Sequence, residues 1–347
     1  MEMLNFNRRR FLGMSAIVAG SALTGLPLRA AEAEISLGWY PGLLGQNFKK
    51  GLLDGYAKAG NVKIIEAFDN ARFTQMQANR NKPSLHLGVF TDAMLPLVSR
   101  SGLVRDIKVE DVPNLADFDP IVPRPVGDKA VPLTYGSWGI AYNAKHIKEP
   151  ITSWADLLRE DIAKNASAPN ITYNSSLYTL DALASLKGGS LKDPAAGYEA
   201  MRQIRTSGPG LWDQESTAVG GLKSGEIWAT PYLSGSILAL MSDPDLPDLR
   251  FCVPSEGAYS VPMSVVRVDN DSAGKAPEDL INHMLSVEAQ EAFSRIGGCR
   301  PINVKAAVPE NVAAMVPTAD KLRSLDWQYF SENRTAIVDG WNEVVNG

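Results

Sequence analysis

Short apolar runs that read as strands alternate with segments of helical spacing, and this alternation restricts the fold more than any other feature of the chain. Glu34 to Tyr40 reads as a strand ending in two aromatics, and Gly42 to Ala59 has helical apolar spacing through Leu43, Leu44, Phe48, Leu52 and Tyr56. Val62 to Ala67 reads as a second strand, Phe73 to Asn79 as a helix and Leu85 to Phe90 as a third strand. A helix over 92–101 follows, with Asp92 as its expected cap. This order predicts a mostly parallel sheet with helices on both faces.

A connection rich in Pro and Asp, 111–132, leads to a strand from Thr134 to Asn143. Ser153 then stands three residues before Asp156, the spacing of a capping box. A second alternating run follows: strand 170–174, helices near 176–187 and 193–206, helix 216–224, strand 226–231, helix 234–242 and strand 250–254. Ser264 to Val268 returns as a strand, and helices over 276–296 and about 319–345 close the chain. The expectation is two α/β lobes, one inserted in the other. Residues 34–134 with 264–315 form the first and 135–263 the second, followed by a C-terminal helical segment, 316–347. Open parallel sheets bind ligands beyond the carboxyl ends of their strands. Two hinged lobes bring both sets of strand ends to one cleft.

The first 33 residues read differently. Arg8-Arg9-Arg10 precedes an apolar run from Met14 to Leu28, and Ala31-Glu32-Ala33 supplies small residues for cleavage before Glu34. The pattern is that of a signal peptide of the twin-arginine type. The run is too short and too rich in Gly, Ala and Ser for a membrane span. The expected location is therefore the periplasm. The chain carries a net charge of −5, which argues against nucleic acid as a partner. Two cysteines, Cys252 and Cys299, form no CxxC motif, and whether they join in a disulfide is open at this point. His86, His146 and His283 show no metal spacing, and neither a metal nor a cofactor is expected.

Specific stretches resemble a known family. Pro132-Leu133-Thr134-Tyr135-Gly136-Ser137-Trp138-Gly139-Ile140-Ala141-Tyr142-Asn143, followed by Ile151-Thr152-Ser153-Trp154-Ala155-Asp156-Leu157-Leu158, is similar to the signature of periplasmic solute-binding proteins of ABC importers. The spermidine/putrescine-binding group, with its iron(III), thiamine and phosphonate relatives, is the nearest likeness. Lys223-Ser224-Gly225-Glu226, Pro254-Ser255-Glu256-Gly257-Ala258 and Gly297-Gly298-Cys299-Arg300-Pro301-Ile302-Asn303 continue it in order. The resemblance implies the two-lobed periplasmic binding protein fold of type II, with discontinuous lobes joined by a hinge. It implies a small-molecule solute as ligand and a permease with its ATPase in the inner membrane as partners. The twin-arginine translocase is the expected partner during export.

Departures from the resemblance bear on the ligand. Met263 stands near the place of an aspartate that polyamine binders use, Val261 near that of a tryptophan, and Asn174-Ser175-Ser176 where an acidic pair is expected. Tyr232 stands alone where iron(III) relatives carry neighbouring tyrosines. A neutral, zwitterionic or anionic small organic is the expected ligand. The candidate contacts lie at expected strand ends and loops: Trp39, Tyr40, Asp69, Phe90, Thr91, Tyr135, Trp138, Asn174, Ser175, Ser176, Trp212, Asp213, Tyr232 and Tyr259. Ser175 and Ser176 precede a helix, where backbone N–H groups suit an anion. Trp154, Trp228, Trp327 and Trp341 are expected to pack on helices or strands. The alternatives are an exported enzyme and a solute sensor for a membrane receptor. No GxSxG, HExxH or complete P-loop is present, and enzymatic chemistry is not expected.

Overall fold

The computed structural model describes residues 33–347, so the expected signal peptide lies outside the described residues. Strands β1 (Ile35–Trp39), β2 (Val62–Glu66) and β3 (Leu87–Thr91) are parallel, with β1 in the middle. Helices α1 (Gly42–Leu52) and α2 (Asp69–Ala78) connect them. All five residues of β1 are buried, as expected for a strand covered on both faces. Gly38 of β1 pairs with Gly88 of β3. A Cβ on Gly38 would come within 2.8 Å of the Arg72 side chain. The paired glycines thus make room for the arginine stem to cross the sheet. After β3 come α3 (Leu95–Arg100) and the short β4 (Val104–Arg105).

The central strand is β5 (Val131–Asn143). Helices α4 (Glu160–Ala163), α5 (Ser176–Ser185), α6 (Ala195–Ser207), α7 (Glu215–Ser224) and α8 (Ser234–Leu240) follow, interleaved with β6 (Ala168–Pro169), β7 (Leu211–Trp212), β8 (Ala229–Leu233) and β9 (Leu249–Cys252). Then come β10 (Tyr259–Val268), α9 (Ala276–Met284), α10 (Val287–Gly297), β11 (Arg300–Pro301), α11 (Glu310–Met315) and α12 (Trp327–Trp341). The main sheet has nine strands. The first part of β5 pairs antiparallel with β10 and β11, and its second part pairs with β8 and β9. Strand β10 continues to pair with β3 and β4. The two long neighbours β5 and β10 therefore connect both halves of the sheet. Their register shifts between Met263, opposite Thr134, and Ser264, opposite Pro132. Parallel strands β6 and β7 join the second half through a bridge from Ala166 to Ala229.

The family-like stretches are joints. Ser153 and Asp156 form the expected capping box at Trp154–Leu158. The Trp154 indole N–H donates to the Gly257 carbonyl at 3.0 Å, and the Ser153 hydroxyl donates to Glu256, so the box docks on the Glu256-Gly257 turn. Gly298 has φ +59°, and a Cβ there would meet the Gly235 backbone at 2.9 Å. Cys252 and Cys299 are both free and buried, and burial pushes both thiols up to about 12. Side chains on α12 and just before it reach both halves: Glu332 pairs with Arg100, and Asp326 pairs with Lys192.

Several boundaries differ from the sequence reading. The expected strand 170–174 is a turn, because the backbone N–H of Tyr173 donates to Asn170 and that of Ser176 to Tyr173. The expected helix 92–101 starts at Leu95, since the Asp92 carboxylate is engaged elsewhere. The expected helix 276–296 breaks at Leu285, where Ser286 caps a new helix by accepting from the Ala289 N–H.

Candidate functional site

Three groups of side chains gather expected site residues, and the second of them links the two halves of the sheet. The first forms at the carboxyl ends of β1, β2 and β3. Tyr40 follows β1, Asp69 opens α2 and Thr91 ends β3. The Tyr40 hydroxyl donates to Asp69 Oδ1 at 2.6 Å, and the Thr91 N–H and hydroxyl donate to Oδ2. Arg72, with no solvent exposure, donates to Asp69 Oδ1 at 3.3 Å and to the carbonyls of Val89 and Ala67. Its guanidinium lies 4.8 Å from the Tyr40 ring and 5.2 Å from Phe90. Burial raises the Asp69 carboxyl, while its donors and Arg72 work against that shift. Both Asp69 oxygens are filled, and its charge is matched from within the protein.

The second group surrounds Asp92, just past β3. The Tyr178 hydroxyl of α5 donates to both its oxygens, at 3.0 and 3.2 Å, and the Trp327 indole N–H of α12 donates at 2.5 Å. No cation pairs with Asp92 among the described residues. Burial pushes its carboxyl up to about 7. This one carboxylate ties the first half of the sheet to α5 and α12.

The third group is aromatic and lies in the second half. Trp138 of β5 is parallel to Tyr232 at the end of β8, with ring centres 6.4 Å apart, and its N–H donates to the Thr179 hydroxyl at 3.0 Å. Trp212 lies 5.7 Å from Tyr232 and 5.2 Å from Tyr173. The Tyr173 hydroxyl donates to Glu215 Oε1 at 2.5 Å, and the Tyr232 hydroxyl stands 3.5 Å from Oε2. Glu215 is solvent-exposed, whereas Trp138, Trp212 and Tyr232 are buried. Burial, and then the Glu215 charge, raise both phenols. Asp213 is exposed beside them and accepts from the Thr172 hydroxyl at 2.7 Å. Asn174 and Ser175 are half-buried on the turn after Tyr173, and Ser176 is fully buried.

Four expected contacts take other positions. Trp39 packs on Phe48, and its N–H donates to the Gly45 carbonyl at 2.9 Å. Phe90 lies in a separate apolar cluster with Met76, Met94 and Val98. Tyr135 is fully buried, and burial pushes its phenol up to about 12. Tyr259 donates to Asp181 at 2.5 Å under the Arg323 guanidinium. Met263 and Val261 are buried in β10. The sequence reading passed over Tyr173, Tyr178, Asp181 and Glu215, and gave Asp92 and Trp327 other roles. A usable signal existed for Glu215, an acid three residues past an aromatic in a Gly-Pro-Gly loop, but first-turn acids are common on helices. Among the described residues no group of His, Cys, Asp and Glu fits a metal ion, and no helix is long and apolar enough to cross a membrane.

Residues 81–333 match the family model of bacterial extracellular solute-binding proteins. No curated protein matches the chain in sequence. Among solved structures, one described as an extracellular solute-binding protein from Bordetella parapertussis is similar with a TM-score of 0.78 and 20% identity, over 90% of this chain and 99% of that one. A binding protein from Agrobacterium tumefaciens B6 in complex with glucopine has a TM-score of 0.71 and 18% identity, over 90% and 99%. A spermidine/putrescine ABC transporter substrate-binding protein from Streptococcus pneumoniae has a TM-score of 0.69 and 15% identity, over 89% and 98%. At these identities the likeness is one of fold, and the mixed α/β architecture is that of periplasmic solute-binding proteins.

Proposed function

The chain belongs to the bacterial extracellular solute-binding protein family, and from this we propose that it captures a small organic solute between two hinged lobes and delivers it to the permease of an ABC importer. The threading of β5 and β10 through both halves carries this reading. Two antiparallel strands with a register shift at Met263 and Ser264 make a double connection where lobes 34–134 with 264–315 and 135–263 would meet. The hydrogen bonds from Tyr178 and Trp327 to Asp92 would then form as the cleft closes. The solute would lie between the strand ends of the first lobe and the aromatic group around Glu215.

The test is a thermal-shift screen of residues 34–347 against amines, amino acids, sugar phosphates, thiamine and iron(III), with small-angle scattering on any hit. A true ligand at about 100 times its Kd adds roughly 2.7 kcal/mol, several degrees at this size. It would also shrink the scattering envelope as the lobes close. A solute returned altered after incubation would instead favour an enzyme. Residues 1–33 are read in the same proposal as a twin-arginine-type signal peptide cut before Glu34. Replacing Arg8 and Arg9 together by Lys should leave the protein in the cytoplasm, and a mature protein beginning at Glu34 is the expected mass.

A further inference from the structure

We propose that the solute is a small zwitterion, its cationic end held at Glu215 between Tyr173 and Tyr232 and its anionic end at the start of α5. This deepens the receptor reading above and rests on it. The buried acids Asp69 and Asp181 are met by the protein's own cations, Arg72 and Arg323, and buried Asp92 is met by the Tyr178 and Trp327 donors. Glu215 has no Lys or Arg within ion-pair distance among the described residues, and its side-chain partners are tyrosine hydroxyls. An exposed carboxylate beside aromatic rings is the chemistry that recognises an ammonium.

The opposite chemistry starts one residue after Tyr173. Helix α5 has no acid in its first turn, and its N-cap, Ser175, makes no capping bond. Ser176, its first residue, is fully buried, and its Oγ has no hydrogen-bond partner. The backbone N–H groups and side chains of Asn174 and Ser175 make no hydrogen bond to the described residues, so donors cluster within three consecutive positions at the positive end of the helix dipole. From Tyr173 to Ser176 the chain spans at most about 11 Å. A dication would set one charge against this helix end, and a dianion would set one against Glu215. A zwitterion meets opposite charge at both.

The experiment compares γ-aminobutyrate, glycine betaine and proline with putrescine and glutarate, at matched concentration, by thermal shift and isothermal titration on the mature protein. At least one zwitterion should bind, with putrescine and glutarate weaker by about tenfold or more. Glu215→Gln should weaken the zwitterion by about tenfold and bring glutarate closer to it, while the combined Ser175→Ala and Ser176→Ala change should weaken it by a similar factor. Both variants must keep the ligand-free melting profile, which separates a lost contact from a lost fold. Tighter binding of putrescine or glutarate would overturn the zwitterion and leave the receptor standing. A zwitterion bound equally well by both variants would overturn the placement, and silence toward all three zwitterions would overturn the class. Failure of the receptor reading would show separately, as turnover of the bound solute or as no response to any member of the wider panel.

Discussion

Asp69 and Glu215 are both carboxylates that accept a tyrosine hydroxyl at the end of a strand or loop, yet they sit in opposite electrostatic situations. Asp69 is buried, its oxygens are filled by Tyr40 and Thr91, and Arg72 crosses the sheet over Gly38 to neutralise it. Glu215 is exposed, and tyrosine hydroxyls are its side-chain partners. Asp69 therefore behaves as a knot that holds three strand ends together. Glu215 has no internal Lys or Arg partner among the described residues. An acid at a strand end is informative about a ligand only after its internal counter-charge is known.

The largest expected effect tests the knot. Arg72→Ala leaves a buried carboxylate unpaired and should destabilise the protein by about 3–5 kcal/mol in urea unfolding. Adding Asp69→Asn should recover part of that loss, and no recovery would mean that the arginine stem, not its charge, holds the strands.

Asp92 lies between the two cases, buried with donors but with no cation among the described residues. Its carboxyl is raised to about 7 from a usual value near 3.9. In the pH window between those values the folded protein binds the proton that the unfolded chain has released. The stabilising contribution is thus fully present below about pH 4 and is lost as pH rises through about 7, stability falling by up to about 1.4 kcal/mol for each pH step of one within that window. Melting curves of the wild type and Asp92→Asn between pH 5 and 8 should diverge in slope, with the variant flatter. Parallel slopes would remove Asp92 as the titrating group.

Smaller effects separate the two tyrosines. Tyr40→Phe strips a donor from a buried acid and should cost about 1–3 kcal/mol, whereas Tyr173→Phe, next to an acid that water reaches, should cost about 0.5–1.5 kcal/mol. Equal costs would erase the contrast between the groups. The smallest change expected is Glu215→Gln, within about 0.5 kcal/mol of wild type without ligand. A larger loss would make Glu215 a second structural knot.

Local patterns made much of the fold legible. The first three strands and their helices follow from apolar periodicity, and the Ser153 capping box forms where its spacing indicated. The stretches that carried the family resemblance are recognisable because they are joints: β5, the Glu256-Gly257 turn that receives Trp154, and the tight approach of Gly298 to Gly235. Such positions constrain backbone and packing, so they mark the fold and are silent about the solute. The site was less legible. Of the expected contacts, Trp138, Trp212 and Tyr232 come together in one aromatic group, while Trp39 packs on Phe48 and Phe90 lies in another cluster. Asp92 reads locally as a helix cap, and only the arrival of Tyr178 and Trp327 from distant segments gives it another role.

The amino-acid sequence alone thus determined the alternation of strands and helices and the joints that carry the family resemblance. Those properties reside in neighbouring residues, through side-chain periodicity, capping and turn chemistry. Which acid is neutralised and which is left open was decided only in three dimensions. Arg72 happens to lie near Asp69 in the chain, but the tyrosines, tryptophans and helix end that define the other groups meet through contacts between segments far apart in sequence. Electrostatic pairing acts through space over a few ångströms, and no local pattern encodes that distance.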